Sequence, residues 1–399
     1  MPNACMVVHA TYPDDARVRR EAETLLGDGW QVDVVCIRGS GEPPVEVCNG
    51  ATVYRLPVQR HRGQGLAVYL LEYAKFFALA SYRIMRLHLR RGYDVVQVHN
   101  MPDFLVFTAL APRLLGARAV LDIHDLVPEL YAARFAGGAD NPAVRLTRWV
   151  ERASIAFADY VLTAGEPFRR RLLARGVAPE KLTVIMNSAD PQLFHPLPLS
   201  PAPRADRFTL VYHGGLYERY GLDIAIRAIA QLRDQIPELR LLIYGEGEAS
   251  DDLARLVAEL HLEEQVQLCG YVAIDEIPER IAGADLGVVP YRSNPFTDML
   301  YPTKAFECLA MNIPVITSRT EAMAELFAGI DDMFFEPENV TDLAQRIASL
   351  YQSPERRRRL LHDAQAAYAP YAWENQRREY TMLLRRLIAP QHPVPHTVR

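Results

Sequence analysis

A chain of 399 residues, 49% hydrophobic and 23% charged, is too long for one ordinary domain and long enough for two, each with its own core. The net charge of −5 and pI near 6.1 speak against a nucleic-acid binder, which carries a basic excess. Five cysteines without a CxxC pair exclude a disulfide framework and fit reduced thiols in the cytoplasm, and MPNACMVVHATYPDD lacks the regions of a secretion signal.

Along the first half, the apolar runs CMVVHA, QVDVVCI, DVVQVHN, RAVLDIH, DYVLTA and KLTVIMN alternate with helical patterns, the rhythm of a parallel, doubly wound sheet. YPDDARVRREAETL places Arg17 in the first strand-to-helix loop, where a solvated helix start and a contact to an anion both fit. Residues 66–91 read as one long apolar helix, too interrupted by Glu72, Lys75 and Arg83 to span a bilayer. From Arg55 to Arg91 there are eight Lys/Arg against one acidic residue, which suits an anionic membrane face or a core helix with solvated ends. His99 and His124 each close a predicted strand, with Asp125 and Glu129 following, so both face the expected ligand crevice at the strands' carboxyl ends.

HPLPLSPAPRADR, residues 195–207, is proline-rich and aperiodic and reads as a linker. The rhythm restarts with FTLVYHG, LRLLIYG, QVQLCG, DLGVVP and IPVITS. After the first of these, Gly214 and Gly215 let the backbone approach a pyrophosphate, or simply make a tight turn, before a helix with Leu222, Ile226 and Ile229 on one face. TDMLYPTKAFECLAMNIPVITS, residues 297–318, reads as a loop, a helix of about three turns starting at Pro302 and ending at Asn312, and a buried strand. Lys304 and Glu307 share a face near that helix's N-terminus, so the cation can meet a diphosphate and the carboxylate can accept from ribose hydroxyls; a surface ion pair is the plainer alternative.

The order PTKAFECLAMNIPVI resembles the PxKxxEYxAxGxPVI signature of one branch of glycosyltransferase family 4, which are retaining, nucleotide-sugar-dependent enzymes of the GT-B fold. YPDDARVRREAE resembles the PxDxRVxxE start of that branch. YGEGEASDDL, with Glu246, resembles the family's GxG loop, and CGYV, with Val272, the segment that meets the nucleobase. His124 resembles the histidine that hydrogen-bonds the donor sugar. Two departures stand out. Gly215 and Tyr220 occupy places where many members have Arg and Lys, leaving Arg219 as the nearest substitute. Met299 replaces the first of two glutamates, Glu307 being the second, so backbone N–H groups of the Asp298 to Tyr301 loop, Leu300 included, are expected at the sugar, with Asp298 either joining them or serving as a turn residue.

The resemblance therefore implies a GT-B fold of two Rossmann-like domains: 1–194 for the acceptor, the linker 195–207, 208–370 for the donor, a helix over 371–390 crossing back to the first domain, and a tail over 391–399. It implies His124, Arg219 and Lys304 as catalytic groups. Gly214, Gly215, Glu246, Val272, Asp298, Met299, Leu300 and Glu307 would hold the donor, and Arg17, His99 and Asp125 would line the acceptor pocket. The expected donor is a nucleoside-diphosphate sugar, UDP-linked rather than GDP-linked, and the acceptor a glycan or a lipid-linked glycan. No cofactor or metal is expected: there is no DxD in a strand-end loop, and Asp14-Asp15 and Asp251-Asp252 read as acidic helix starts. The expected location is cytoplasmic, peripheral on the inner membrane face. A sugar-nucleotide epimerase of the same fold and a non-catalytic sugar-nucleotide-binding module stand as alternatives.

Overall fold

A computed structural model describes residues 1–61, 66–134, 138–197 and 207–389, and each apolar run quoted above contributes a strand. The chain divides into two units, Met1–Met186 with Gln376–Arg399, and Asn187–Asn375. The expected break at 194/195 moves back because Ala189 N donates to Tyr368 Oη (2.9 Å) and Phe194 stacks on His213, both in the second unit. Most of the expected linker, 198–206, and the tail 391–399 lie outside the described residues.

In the first unit, β1 (Asn3–Val7), β2 (Gln31–Ile37), β3 (Val45–Cys48), β4 (Ala51–Leu56), β5 (Val95–His99), β6 (Arg118–Ile123), β7 (Tyr160–Thr163) and β8 (Leu182–Val184) form one sheet in the order β3-β4-β2-β1-β5-β6-β7-β8. The runs of β1, β5 and β6 are buried on both faces, as parallel strands covered by helices must be. β3 and β4, absent from the sequence expectation, pair antiparallel around Asn49-Gly50, whose left-handed φ values of 49° and 89° are those that a two-residue hairpin turn requires.

Helix α1 (Ala16–Gly27) starts at Asp15, whose side chain caps Arg17 N. Helix α2 (Leu66–Arg91) buries Phe76, Ala80, Ile84 and Leu87 at helical spacing, the phenyl ring alone worth about 1.5–3 kcal/mol. α3 (Leu110–Leu114) packs beside it. The C-terminal helix Trp373–Ile388 completes this unit: Gln376 Oε1 accepts from Met186 N (2.9 Å), Tyr380 Oη donates to Gln97 (2.7 Å) and Arg385 pairs with Asp28 (2.7 Å).

In the second unit, β9 (Phe208–His213), β10 (Leu239–Tyr244), β11 (Val266–Gly270), β12 (Leu286–Val289), β13 (Val315–Ser318) and β14 (Phe334–Phe335) are all parallel, in the order β11-β10-β9-β12-β13-β14. Strand order reverses between β1 and β5 in the first sheet and between β9 and β12 in the second. In such sheets, ligands bind beyond the strands' carboxyl ends at these reversals.

Candidate active site

The reversal of the second sheet gathers the predicted nucleotide residues. Gly214 leaves β9 at φ +116°, and a Cβ there would sit 3.1 Å from Lys304 Cε, so the lysine stem lies against bare backbone. Two close approaches explain the GxG loop: a Cβ on Gly245 would fall 1.9 Å from Gly214 O, and one on Gly247 would fall 2.1 Å from Leu216 O. Spacing alone makes this loop look like any turn; its packing against the Gly214 turn gives both glycines a reason.

Lys304 lies on the helix Thr303–Ala310, two turns long and not three because Met311 and Asn312 already form the closing turn, with Asn312 at φ 61°. Its ammonium donates to Tyr291 Oη (2.7 Å) and stands 4.9, 4.8 and 5.0 Å from the ring centroids of Tyr212, Tyr220 and Tyr291. Burial lowers its pKa, partly countered by Tyr220 and Glu307. Tyr220, standing where relatives of the resembled branch carry a cation, is therefore part of an aromatic cage, stacked on Tyr291 at 4.4 Å. Arg219 lies over the same group, its guanidinium 4.4 and 4.8 Å from the Tyr217 and Tyr220 rings.

The plainer reading of Lys304 and Glu307 as an ion pair does not hold: Glu307 Oε2 bonds His213 Nε2 (2.5 Å), a residue the sequence reading passed over although it closes β9. Glu246 Oε1 accepts weakly from Tyr271 N (3.4 Å), and Val272 follows half-buried. The 298–300 loop corrects the expectation placed on it. Asp298 N, Met299 N and Leu300 N donate to Asn294 O, Phe296 O and Thr297 O, so these N–H groups already serve the turn. Asp298 accepts from Ser293 Oγ (2.9 Å), the behaviour of a turn residue.

In the first unit, His99 closes β5, and His124 follows β6. Both bond one oxygen of Asp122: His99 Nδ1 at 2.9 Å and His124 Nε2 at 2.9 Å, with 3.2 Å between the two nitrogens. Asp122 is two residues before His124 and so on the same face of the chain, a period-two signal that the sequence contained and the reading missed. Burial pushes the Asp122 carboxyl up, but the two imidazoles outweigh it and hold the carboxyl well below the usual range; burial pushes His99 down. Gln97 Nε2 joins Glu21 (2.6 Å) to this group, and Tyr380 Oη donates to Gln97 Oε1. His99, Asp122 and His124 are also a ligand set of the kind that holds a cation, with donor atoms within 4.8 Å of one another. Their separations are those of hydrogen bonds, and among the described residues the outer ring nitrogens have no hydrogen-bond acceptor of the kind that ordinarily orients a metal-bound histidine.

Arg17 is engaged locally: Nε and Nη2 both reach Asp15 at 3.2 Å, each raising the other's preference for its charged form despite burial. Asp125 contributes its carbonyl to Asn100 Nδ2 (2.8 Å), and Asn100 Oδ1 accepts from His124 N (2.8 Å), fixing the loop after β6.

Residues 15–188 match the family described as Glycosyl transferase 4-like domain, and residues 207–353 match Glycosyl transferases group 1. The chain belongs to glycosyltransferase family 4, and its fold is GT-B. It is 28% identical over 373 residues to D-inositol 3-phosphate glycosyltransferase 1 of Catenulispora acidiphila, covering 89% of this chain and 85% of that one. It is 25% identical over 306 residues to the phosphatidylinositol N-acetylglucosaminyltransferase gpi3 subunit of Schizosaccharomyces pombe, covering 76% of this chain and 61% of that protein's length. The match to the putative colanic acid biosynthesis glycosyltransferase WcaL of Escherichia coli, 30% over 196 residues, covers 49% of this chain and 48% of that one. Among solved structures, sucrose-phosphate synthase from Thermosynechococcus elongatus superposes with a TM-score of 0.78 at 20% identity over 98% of this chain and all of that one. Anabaena HepE in complex with UDP-glucose gives 0.74 at 17% over 97% of this chain and all of that one.

Proposed function

We propose that this protein is a retaining glycosyltransferase that transfers a sugar from a nucleoside-diphosphate sugar, UDP-linked rather than GDP-linked, to a glycan or lipid-linked acceptor in glycoconjugate synthesis. The observation that carries the reading is Lys304: a cation held by one phenol and three ring faces at the reversal of the second sheet, beside two glycine turns, with Glu307 a turn farther along the same helix. Such a cation stabilises the diphosphate as it departs, and Arg219 adds charge at the same place. Glu307, oriented by His213, receives the ribose. The UDP preference draws support from HepE, whose crystals hold UDP and UDP-glucose.

His124 is the group of the first unit proposed to hydrogen-bond the transferred sugar, and the departing phosphate is proposed to take the acceptor's proton, so neither a carboxylate pair nor a metal enters the reading. No helix among the described residues is long and apolar enough to cross a membrane. A peripheral membrane contact is supported by α2, which exposes Leu70, Leu71, Tyr82 and Leu89 among Lys75, Arg86 and Arg90.

A thermal-shift comparison of UDP, GDP and other nucleoside diphosphates tests the donor site: at a hundredfold excess over Kd, the binding nucleotide stabilises by about 2.7 kcal/mol. No shift with any of them would overturn the proposal. Product analysis with labelled UDP-sugar then separates transfer from epimerisation and from binding without turnover.

A further inference from the structure

Beyond β5 the chain passes through Asn100 and Pro102 into a short 3₁₀ segment, Asp103–Ala109, and the two polar residues at this turn are buried: Asn100 is 6% exposed and Asp103 3%. Asn100 uses its whole amide. Its Oδ1 accepts from His124 N (2.8 Å) and Asp125 N (3.4 Å), while its Nδ2 donates to Asp125 O (2.8 Å) and to Asp103 Oδ1 (2.7 Å). Turned end for end, the amide would set its NH2 against the His124 N–H and its oxygen against the Asp125 carbonyl, so one orientation alone fits.

Asp103 is the unexpected member. Unlike Asp122 and Asp15, it has a neutral amide for a partner and no cation at ion-pair distance among the described residues. Burial raises its carboxyl to about 7, with the Asn100 amide and Arg175 pulling it down and Glu151 pushing it up. A carboxyl in such a place costs stability, and an apolar side chain would pack there at less cost. What it supplies is an acceptor that keeps the Asn100 NH2 turned away from the His124 N–H. The far end of the same loop is anchored as well: Glu129 is buried and bonded by Arg175, with Arg171 Nε 3.4 Å away, and Arg175 also holds both oxygens of Glu151 (2.6 and 2.7 Å). His124 therefore sits on a segment pinned at each end by buried polar groups.

We propose that Asn100 and Asp103 are positioning residues for His124: the Asn100 amide fixes where the imidazole meets the transferred sugar, and Asp103 fixes the amide. This rests on the glycosyltransferase reading for what His124 touches. A group that meets one atom of a substrate has to be held to about 0.5 Å, and a displacement of about 1 Å can cost on the order of 100-fold in rate.

Hydrogen exchange at the His124 amide, calorimetry with UDP, and release of UDP from UDP-glucose, all on the full chain, test the proposal together. Asn100→Ala should speed exchange at His124 by about 100-fold or more with the amides of β1 unchanged, lower turnover roughly 10- to 100-fold, and leave the UDP Kd within about twofold. Asp103→Val should lower turnover about tenfold while melting no earlier than wild type, a split that a purely structural residue would not give. Asp103→Asn, which keeps an acceptor in the same place, should recover about fivefold or more of that loss. Unchanged exchange at His124 in Asn100→Ala, unchanged turnover in that variant, or an Asp103→Val protein that melts earlier with turnover intact would overturn the proposal. A wild type that neither binds UDP nor turns over UDP-glucose would sink the glycosyltransferase reading alone, and exchange at His124 would still decide whether Asn100 and Asp103 hold it.

Discussion

The two units solve the problem of buried charge in opposite ways. In the first, polar groups at the sheet reversal find charged partners: Asp122 binds two imidazoles and Arg17 binds Asp15. In the second, Lys304 is held by a phenol and three ring faces, with no carboxylate at ion-pair distance among the described residues. A cation already paired with a carboxylate has little left for a ligand, whereas one solvated by neutral groups keeps its charge for an anion. Arg17 is accordingly engaged as a helix-start residue in this structure, and Lys304 is the cation that we propose meets the leaving anion.

The sharpest way to break that contrast is Lys304→Met. Loss of a cation acting on a departing diphosphate should lower kcat/KM on the order of 100- to 1000-fold, with a melting temperature unchanged or raised because the desolvated charge is gone. Wild-type kinetics, or a protein that melts earlier, would place Lys304 among structural residues.

His9 examines the first unit. Packed between Tyr73 and Phe76, its imidazole is pushed by burial down to about 4, against the pull of Glu72. The folded pKa lies below the unfolded value of about 6.5, so the stability is present above that pH and is lost as pH falls toward 4, about 3 kcal/mol in all. Melting curves from pH 7 to 4 should show His9→Gln losing that much less than wild type.

Glu307→Ala and His124→Ala should divide the two units' roles. The first is expected to weaken UDP binding about tenfold with turnover nearly kept, and the second to lower turnover about tenfold with UDP affinity intact. Steady-state kinetics beside calorimetry with UDP would expose a reversed pattern. The smallest effect belongs to α2: replacing Arg90 by Gln should weaken sedimentation with anionic vesicles by about 1 kcal/mol, fading with salt, and leave neutral vesicles unaffected.

Much of this architecture was legible because parallel strands are long apolar runs and their order repeats. The β3–β4 hairpin escaped because VEVC exposes three of its four residues, although Asn49-Gly50 marked the turn. At the site, Lys304, Glu307 and the glycines could be found from the order of motifs that resembles the family, since spacing alone left an ion pair and plain turns open. Tyr212, Tyr291 and His213 could not, since what makes them matter is the sheet reversal that brings the ends of β9 and β12 to the same helix. The 298–300 loop misled for a related reason: sequence shows which N–H groups exist, and only the fold shows which are already donating.

The return of the chain at Gln376 has a consequence for biosynthesis. Residues 1–186 leave the ribosome long before Gln376 and Tyr380 exist, so Met186 N and Gln97 Oε1 await partners encoded 190 residues or more later. The second unit, contiguous from 187 to 375, has every strand of its sheet in hand before that. The unit made first is thus the one completed last, and nascent chains stalled before Gln376 should carry a completed second sheet and a first unit still open to proteases.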